Sequence, residues 1–309
     1  MIAAFRHAAY TEINSKMYHL IINGINLNKK QNALKAVESV LQRAGKSYTL
    51  HFTQYAGHAA DIARRLTKDG RFAQLIAMGG DGTLHEVING IENIENCTVG
   101  VIPIGSGNDF AAAAGIPLDA KSAAEVIAFR APTFIDYIEL DNGLRSINAV
   151  GAGIDVDVLR RVYSGRKKGK GKYFSAFIKS LINYKCTTFK LVYDGKEETH
   201  TGLIAALGNG RYIGGGIQLF PEAALDDGYM DLIVVDYLSR MRSAVAFAKL
   251  VTGRVNKVKE ATYVRCKSAS VIPEEGESII QAEGEIYENV EFSARVVSNK
   301  LKFYLPEHD

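Results

Sequence analysis

The chain has 309 residues, enough for one large domain or two ordinary ones. Hydrophobic residues make up 47% and charged residues 23%, which excludes wholesale disorder, and 29 glycines without a repeating period exclude a collagen-like chain. A net charge of +3 is too small to argue for nucleic acid, three dispersed cysteines give neither a zinc ribbon nor a disulfide framework, and no apolar run of about 18 residues is present to cross a membrane as a helix.

Residues 1–16 lack periodicity and resemble neither a signal peptide nor a transit peptide, so they read as an extension before the first strand. From residue 17 the pattern alternates. MYHLIINGI (17–25) reads as a buried strand, and a helix around 30–44 places Leu34, Val37, Leu41 and Ala44 on one face and stops at Gly45. A strand at 47–53, a helix at 57–69, a strand at 72–78, a helix from Thr83 and a strand at 98–103 follow, then helical stretches from Gly107 and at 119–130. Strands separated by helices of this length imply parallel strands with crossovers. Past residue 132 the texture changes. Asp141-Asn142-Gly143 and Asp194-Gly195 read as hairpin turns, with further strands at 230–238, 261–272, 277–283 and 290–304 and helices near 154–163, 173–184 and 239–252. The expected fold is α/β with two domains: an open parallel α/β sheet over 17–135 and a β-rich sandwich over 136–309, whose last strand has the option of returning to the first domain.

Two glycine corners carry the chemistry. Gly79-Gly80-Asp81-Gly82-Thr83 lies between a strand and a helix, where glycine brings main-chain amides close to an anion and the helix adds unpaired N–H groups. Asp81 is an odd member of an anion nest unless a metal ion accompanies a phosphate; the plainer alternative is a β-turn-α corner with an Asp cap. Gly105-Ser106-Gly107-Asn108-Asp109 occupies the same kind of corner one strand later, the edge at which an open α/β sheet binds its ligand. Other phosphate motifs fail. Gly45-Lys46-Ser47 has Val40 where a P-loop needs its first glycine, and Gly105-x-Gly107, Gly151-x-Gly153 and Gly208-x-Gly210 lack the third glycine of a dinucleotide fingerprint. The seven histidines show no metal-ligand spacing.

GGDGTLHEVINGI followed by VIPIGSGNDFA resembles the diacylglycerol kinase catalytic family, which includes bacterial soluble lipid kinases, sphingosine kinases and ceramide kinases. The segments 208–216 and 221–232 resemble that family's second-domain signature, so the likeness runs in order over about 17–305. It implies an ATP- and magnesium-dependent lipid kinase that makes phosphatidate from diacylglycerol. The alternatives are a kinase of another lipid alcohol, such as a sphingoid base, or a catalytically silent lipid- or nucleotide-binding homologue. Carried over by residue, the resemblance implies ATP contacts from Asn23, Thr53, Gly79, Gly80, Asp81, Gly82, Thr83, Leu84, His85, Glu86, Ser106 and Asn108, with Asp81 engaging Mg-ATP. It implies a structural magnesium on Asp227 and the carbonyls of Ala224 and Tyr229, and it makes Glu285 the general base, since Glu283-Gly284-Glu285 stands at the family's D-G-E. Taken without the family, that Glu pair reads as solvated surface. Departures are Asn23-Gly24-Ile25-Asn26-Leu27 in place of N-P-x-S-G, Glu283 for Asp, Ser106 for Thr and His85 for Asn.

The run Gly165–Lys172 places five positive charges in eight residues, ahead of the apolar stretch 173–182. It reads either as a solvated loop or as an anionic-membrane contact, at about 1 kcal/mol per basic residue near the surface. The expected setting is cytoplasmic and peripheral at the inner membrane face, with a lipid substrate, no nucleic acid, and a homodimer left open.

Overall fold

The structure is a computed structural model that describes residues 17–307 apart from 71, 166–170, 237–241, 243–245, 247–248, 250–253 and 277. The N-terminal extension, most of the basic run and most of the helix expected at 239–252 lie outside the described residues. The chain divides into two compact units, one of residues 1–135 with 299–309 and the other of 136–298.

The first unit alternates strand and helix: β1 (Met17–Ile22), α1 (Leu27–Arg43), β2 (Ser47–Phe52), α2 (His58–Thr67), β3 (Ala73–Gly79), α3 (Asp81–Gly90), β4 (Cys97–Pro103), α4 (Asp109–Ala113) and α5 (Ala120–Phe129). β1 pairs in parallel with β2 on one side and β3 on the other, and β3 pairs in parallel with β4. The fully buried runs AQLIAMG and CTVGVIP suit β3 and β4, which are covered on both faces. The end of the last strand, β15 (Phe292–Phe303), adds to β4 in parallel through Lys302 and Phe303. This returning segment belongs to the core: Phe303 packs edge-on against Phe110 with centroids 5.0 Å apart, and Tyr304 donates to Gln74 Oε1 at 2.5 Å. The winding reverses between β1 and β3, so the carboxyl ends of those two strands flank the switch point at which such sheets bind ligands.

The second unit is antiparallel. Its strands are most of β5 (Thr133–Leu140), then β6 (Arg145–Ser146), β7 (Ala149–Gly153), β8 (Thr187–Tyr193), β9 (Lys196–Gly208), β10 (Met230–Asp236), β11 (Ala261–Cys266), β12 (Ser268–Pro273), β13 (Ile279–Ala282), β14 (Glu285–Glu288) and the start of β15. Helices α6 (Ile154–Ser164) and α7 (Gly171–Asn183) complete it. The second half of β9, from Leu203 to Leu207, and most of β10 are apolar on both faces. Ala205, Leu207, Met230, Leu232 and Val234 fill one core, while Leu203, Ala206, Ile233 and Val235 fill another that includes α6 residues. Among the described residues no helix is long and apolar enough to cross a membrane.

Two segments depart from the sequence expectation. The strand expected over 261–272 is two strands with different partners, β11 on β10 and β12 on β8 and β15. The break comes where the carboxylate of Asp194, in a hairpin turn, accepts from Lys267 N and Ser268 N at 3.0 Å each. The strand expected at 277–283 is a hairpin, β13–β14, closed by Glu283-Gly284. Both turn residues have positive φ, 51° and 86°, as a two-residue type I′ turn requires. Glutamate is not one of the residues that advertise such a turn, which is why the pattern hides it.

Candidate active site

At the end of β1 the chain turns through Asn23 and Gly24. Gly24 N donates to Thr53 Oγ1 at 3.1 Å, and Ile25 N donates to Asn23 Oδ1 at 3.0 Å. A Cβ on Gly24 would lie 2.1 Å from Thr53 O. This explains the missing proline: the turn needs both the N–H and the absent side chain. Gly24→Pro is therefore expected to cost on the order of 2–4 kcal/mol, read from urea unfolding; unchanged stability would show that the turn has another geometry. Thr53 thus sits at the β1 turn with its hydroxyl engaged by the main chain.

The two glycine corners touch backbone to backbone. A Cβ on Gly105 would lie 2.4 Å from Gly80 Cα. Asp81 bridges the corners: Asn108 N donates to its Oδ2 at 2.8 Å and Phe110 N to its Oδ1 at 3.3 Å. Its carboxylate therefore caps α4, the helix of the following corner, rather than its own. Asn108, at φ 59°, closes the second corner by accepting from Gly105 N and donating to Gly105 O, both at 3.1 Å. Gly80, Asp81 and Gly82 are half-buried and Ser106 is exposed, so the amides that open α3 lie at the rim of buried strands.

Other residues expected at the nucleotide serve the scaffold. Leu84 is core. Glu86 accepts from Gly57 N at 2.9 Å and Ala59 N at 3.0 Å, satisfying the start of α2. Thr83 is buried and accepts from Asn23 Nδ2 at 3.3 Å, tying the first turn of α3 to the end of β1. His85 is buried beside Asn89, and burial pushes its pKa down to about 4, so it is neutral at pH 7. The sequence does not single out Lys30, because nothing in the linear pattern points a helix-face lysine back at the turn before it. Its Nζ donates to Asn23 O at 2.8 Å and Asn23 Oδ1 at 3.0 Å.

In the second unit Glu285 opens β14 and is exposed. The turn before it is held on several sides. Glu283 Oε1 accepts from Ser146 Oγ at 2.6 Å and Asn148 N at 2.7 Å. Gly284 N donates to Gln281 Oε1 at 3.1 Å, and Tyr163 Oη donates to Gly284 O. Arg160, also on α6, pairs with Glu288 at 2.8 Å. Asp155, on α6, has Gln281 as a hydrogen-bond partner, and burial pushes its pKa up to about 6.

The residues expected to hold a structural magnesium are arranged otherwise. Asp227 Oδ1 accepts from Tyr229 N at 3.0 Å, and its Oδ2 pairs with Arg265. Arg265 also stacks over the Tyr229 ring at 4.9 Å and reaches Asp231 Oδ1 at 3.5 Å. The loop itself is pinned by buried Asp136, whose N donates to Leu225 O and whose Oδ2 accepts from Gly228 N, both at 2.6 Å. Among the described residues no group of three or more His, Cys, Asp and Glu side chains is placed to hold a metal. Both oxygens of Asp227 are thus engaged and Arg265 meets its charge, so a cation held there would have to displace Arg265. Excess EDTA is expected to leave the melting temperature of the chain unchanged; a fall of several degrees, restored by magnesium, would show that an ion displaces Arg265.

Residues 17–140 match the diacylglycerol kinase catalytic domain, and residues 148–305 match the YegS C-terminal NAD kinase beta sandwich-like domain. The chain belongs to the lipid kinase family built from these two domains. A Xanthomonas campestris protein named "Probable lipid kinase YegS-like" is 30% identical over 94% of this chain and 96% of its own. A Staphylococcus saprophyticus protein named diacylglycerol kinase is 32% identical over 75% of this chain and 76% of its own. A crystal structure of a diacylglycerol kinase from Bacillus anthracis superposes with a TM-score of 0.75 at 22% identity, covering 94% of this chain and 97% of that one. An Archaeoglobus fulgidus NAD kinase, solved in complex with ATP, shares the fold with a TM-score of 0.52 at 13% identity, covering 94% of each chain. Membership in this kinase family implies ATP use.

Proposed function

We propose that the chain is an ATP- and magnesium-dependent kinase that transfers the γ-phosphoryl group to the hydroxyl of diacylglycerol, giving phosphatidate and ADP. The observation that carries this reading is the pair of glycine corners in van der Waals contact at the carboxyl edge of β3 and β4. There the amides of Asp81 and Gly82, which open α3, belong to half-buried residues, and Asp81 fixes one corner to the other. Such amides suit a polyphosphate, and phosphoryl transfer asks of a protein mainly position and charge. Magnesium bound to the nucleotide would supply the positive charge that neutralises its phosphates. Glu285 is assigned the proton of the acceptor hydroxyl. The hydroxyl oxygen then attacks phosphorus, and the bond to the ADP oxygen breaks.

The relatives' names support a lipid acceptor, and diacylglycerol is the acceptor named among them. A peripheral membrane setting accords with this substrate. The test is ATP turnover with diacylglycerol, a sphingoid base and ceramide in mixed micelles. Product from diacylglycerol at a rate well above the others supports the proposal. Preference for a sphingoid base would move the reading to that acceptor, and ATP binding without turnover on any lipid would make the chain a silent homologue.

A further inference from the structure

We infer that Lys30 is a phosphate-binding residue of the nucleotide site, supplying at the end of β1 the contact that the altered first turn lacks. This rests on the nucleotide reading of the glycine corners and extends it to a residue outside both of them.

Three features of Lys30 are unfavourable for a lysine with only a scaffold role. It lies in the first turns of α1, where the helix field repels a cation, and that helix has no acidic residue in its first turn to offset it. It is half-buried, and burial alone holds its ammonium below the usual lysine range. Among the described residues no carboxylate forms an ion pair with it, and its two acceptors are the uncharged oxygens of Asn23. Two hydrogen bonds leave one ammonium proton of three. A partly desolvated cation held in this way is a charge set in place for an anion.

The anion site is adjacent through shared atoms. Asn23, which holds Lys30, also donates to Thr83 Oγ1 in the first turn of α3. A single asparagine thus joins the ammonium to the helix that follows Gly79-Gly80. Ser and Gly are absent at the end of the first turn, where Asn26 and Leu27 stand instead. Lys30 reaches the same strand end from one turn further along α1, and its side chain provides charge where the family pattern provides a hydroxyl and an amide.

The test uses the full chain and the variants Lys30→Met and Lys30→Arg, with Mg-ATP, ADP and adenosine titrated by calorimetry and the melting temperature of each protein recorded. Lys30→Met is expected to weaken ATP and ADP binding by roughly 10–100-fold and to leave adenosine binding unchanged. Lys30→Arg is expected to stay within a few-fold of the wild type. The melting temperature of Lys30→Met is expected to be equal or higher, because an uncompensated cation has been removed. If the wild type binds no ATP, the nucleotide reading itself fails and Lys30 with it. If the wild type binds ATP and Lys30→Met binds it equally, the assignment of Lys30 is overturned and the nucleotide reading stands. A Lys30→Met protein that melts several degrees lower, with adenosine affinity reduced as much as ATP affinity, would make Lys30 a structural peg.

Discussion

Asp81→Asn is expected to lower phosphoryl transfer by roughly 10²–10³-fold, the range set by removing one preorganised electrostatic contact. Two contributions add. The first follows from the proposed nucleotide site, where the Asp81 carboxylate would be lost from beside the phosphates. The second is local: Asp81 accepts from Asn108 N and Phe110 N, one bond per oxygen, and asparagine can accept on one side only. The displaced amide would leave α4 with an uncapped end, worth about 0.5–2 kcal/mol. Measuring turnover at saturating magnesium together with urea unfolding separates the two. A stability loss in that range with near-normal turnover would make Asp81 only the cap that joins two corners, and would remove it from the catalytic set. In the sequence Asp81 reads as either an Asp cap or a metal-linked carboxylate. The geometry supplies the cap in a form the sequence did not suggest, on the helix of the next corner.

The first unit is legible because its elements are periodic and locally punctuated. The continuous apolar runs of β3 and β4, each closed by a glycine-containing corner, dictate buried parallel strands with a ligand edge. What stays hidden is contact at long sequence separation. The Glu86 carboxylate binds amides 27 and 29 residues earlier, and Lys30 turns back on Asn23 from a helix whose face reads as solvent. The second unit hides more. The type I′ turn at Glu283 rests on Ser146 and Asn148, which no local window contains. The metal expectation fails to anticipate Arg265 for the same reason: a carboxylate's charge partner is chosen in three dimensions. Resemblance transfers the position of Asp227 but not the cation that faces it.

Glu285→Gln is expected to lower turnover by roughly 10²–10⁴-fold, the worth of a positioned general base, while ATP binding stays intact, since the glycine corners belong to the other unit. The surroundings of the two glutamates favour Glu285 over Glu283. Glu283 occupies the left-handed region at φ 51°, a conformation that costs of order 1–2 kcal/mol for a side-chain-bearing residue. Its carboxylate repays this by accepting from Ser146 Oγ and Asn148 N, and an oxygen committed to two donors is a poor proton acceptor. Glu285 is exposed at the first position of β14, immediately after a turn clamped through both the N–H and the C=O of Gly284. One glutamate therefore fixes the turn, and the other is presented by it. Glu283→Asp restores the family residue and suits the turn better, so it is expected to retain activity. Glu283→Gln keeps the accepting oxygen and is expected to lose far less than Glu285→Gln. Tyr163→Phe removes one clamp without touching either carboxylate, and is expected to reduce turnover by a few-fold with the ATP affinity unchanged. Full activity in Glu285→Gln would eliminate it as the base, and a larger loss in Glu283→Gln, with its fold intact by circular dichroism, would transfer the role to Glu283.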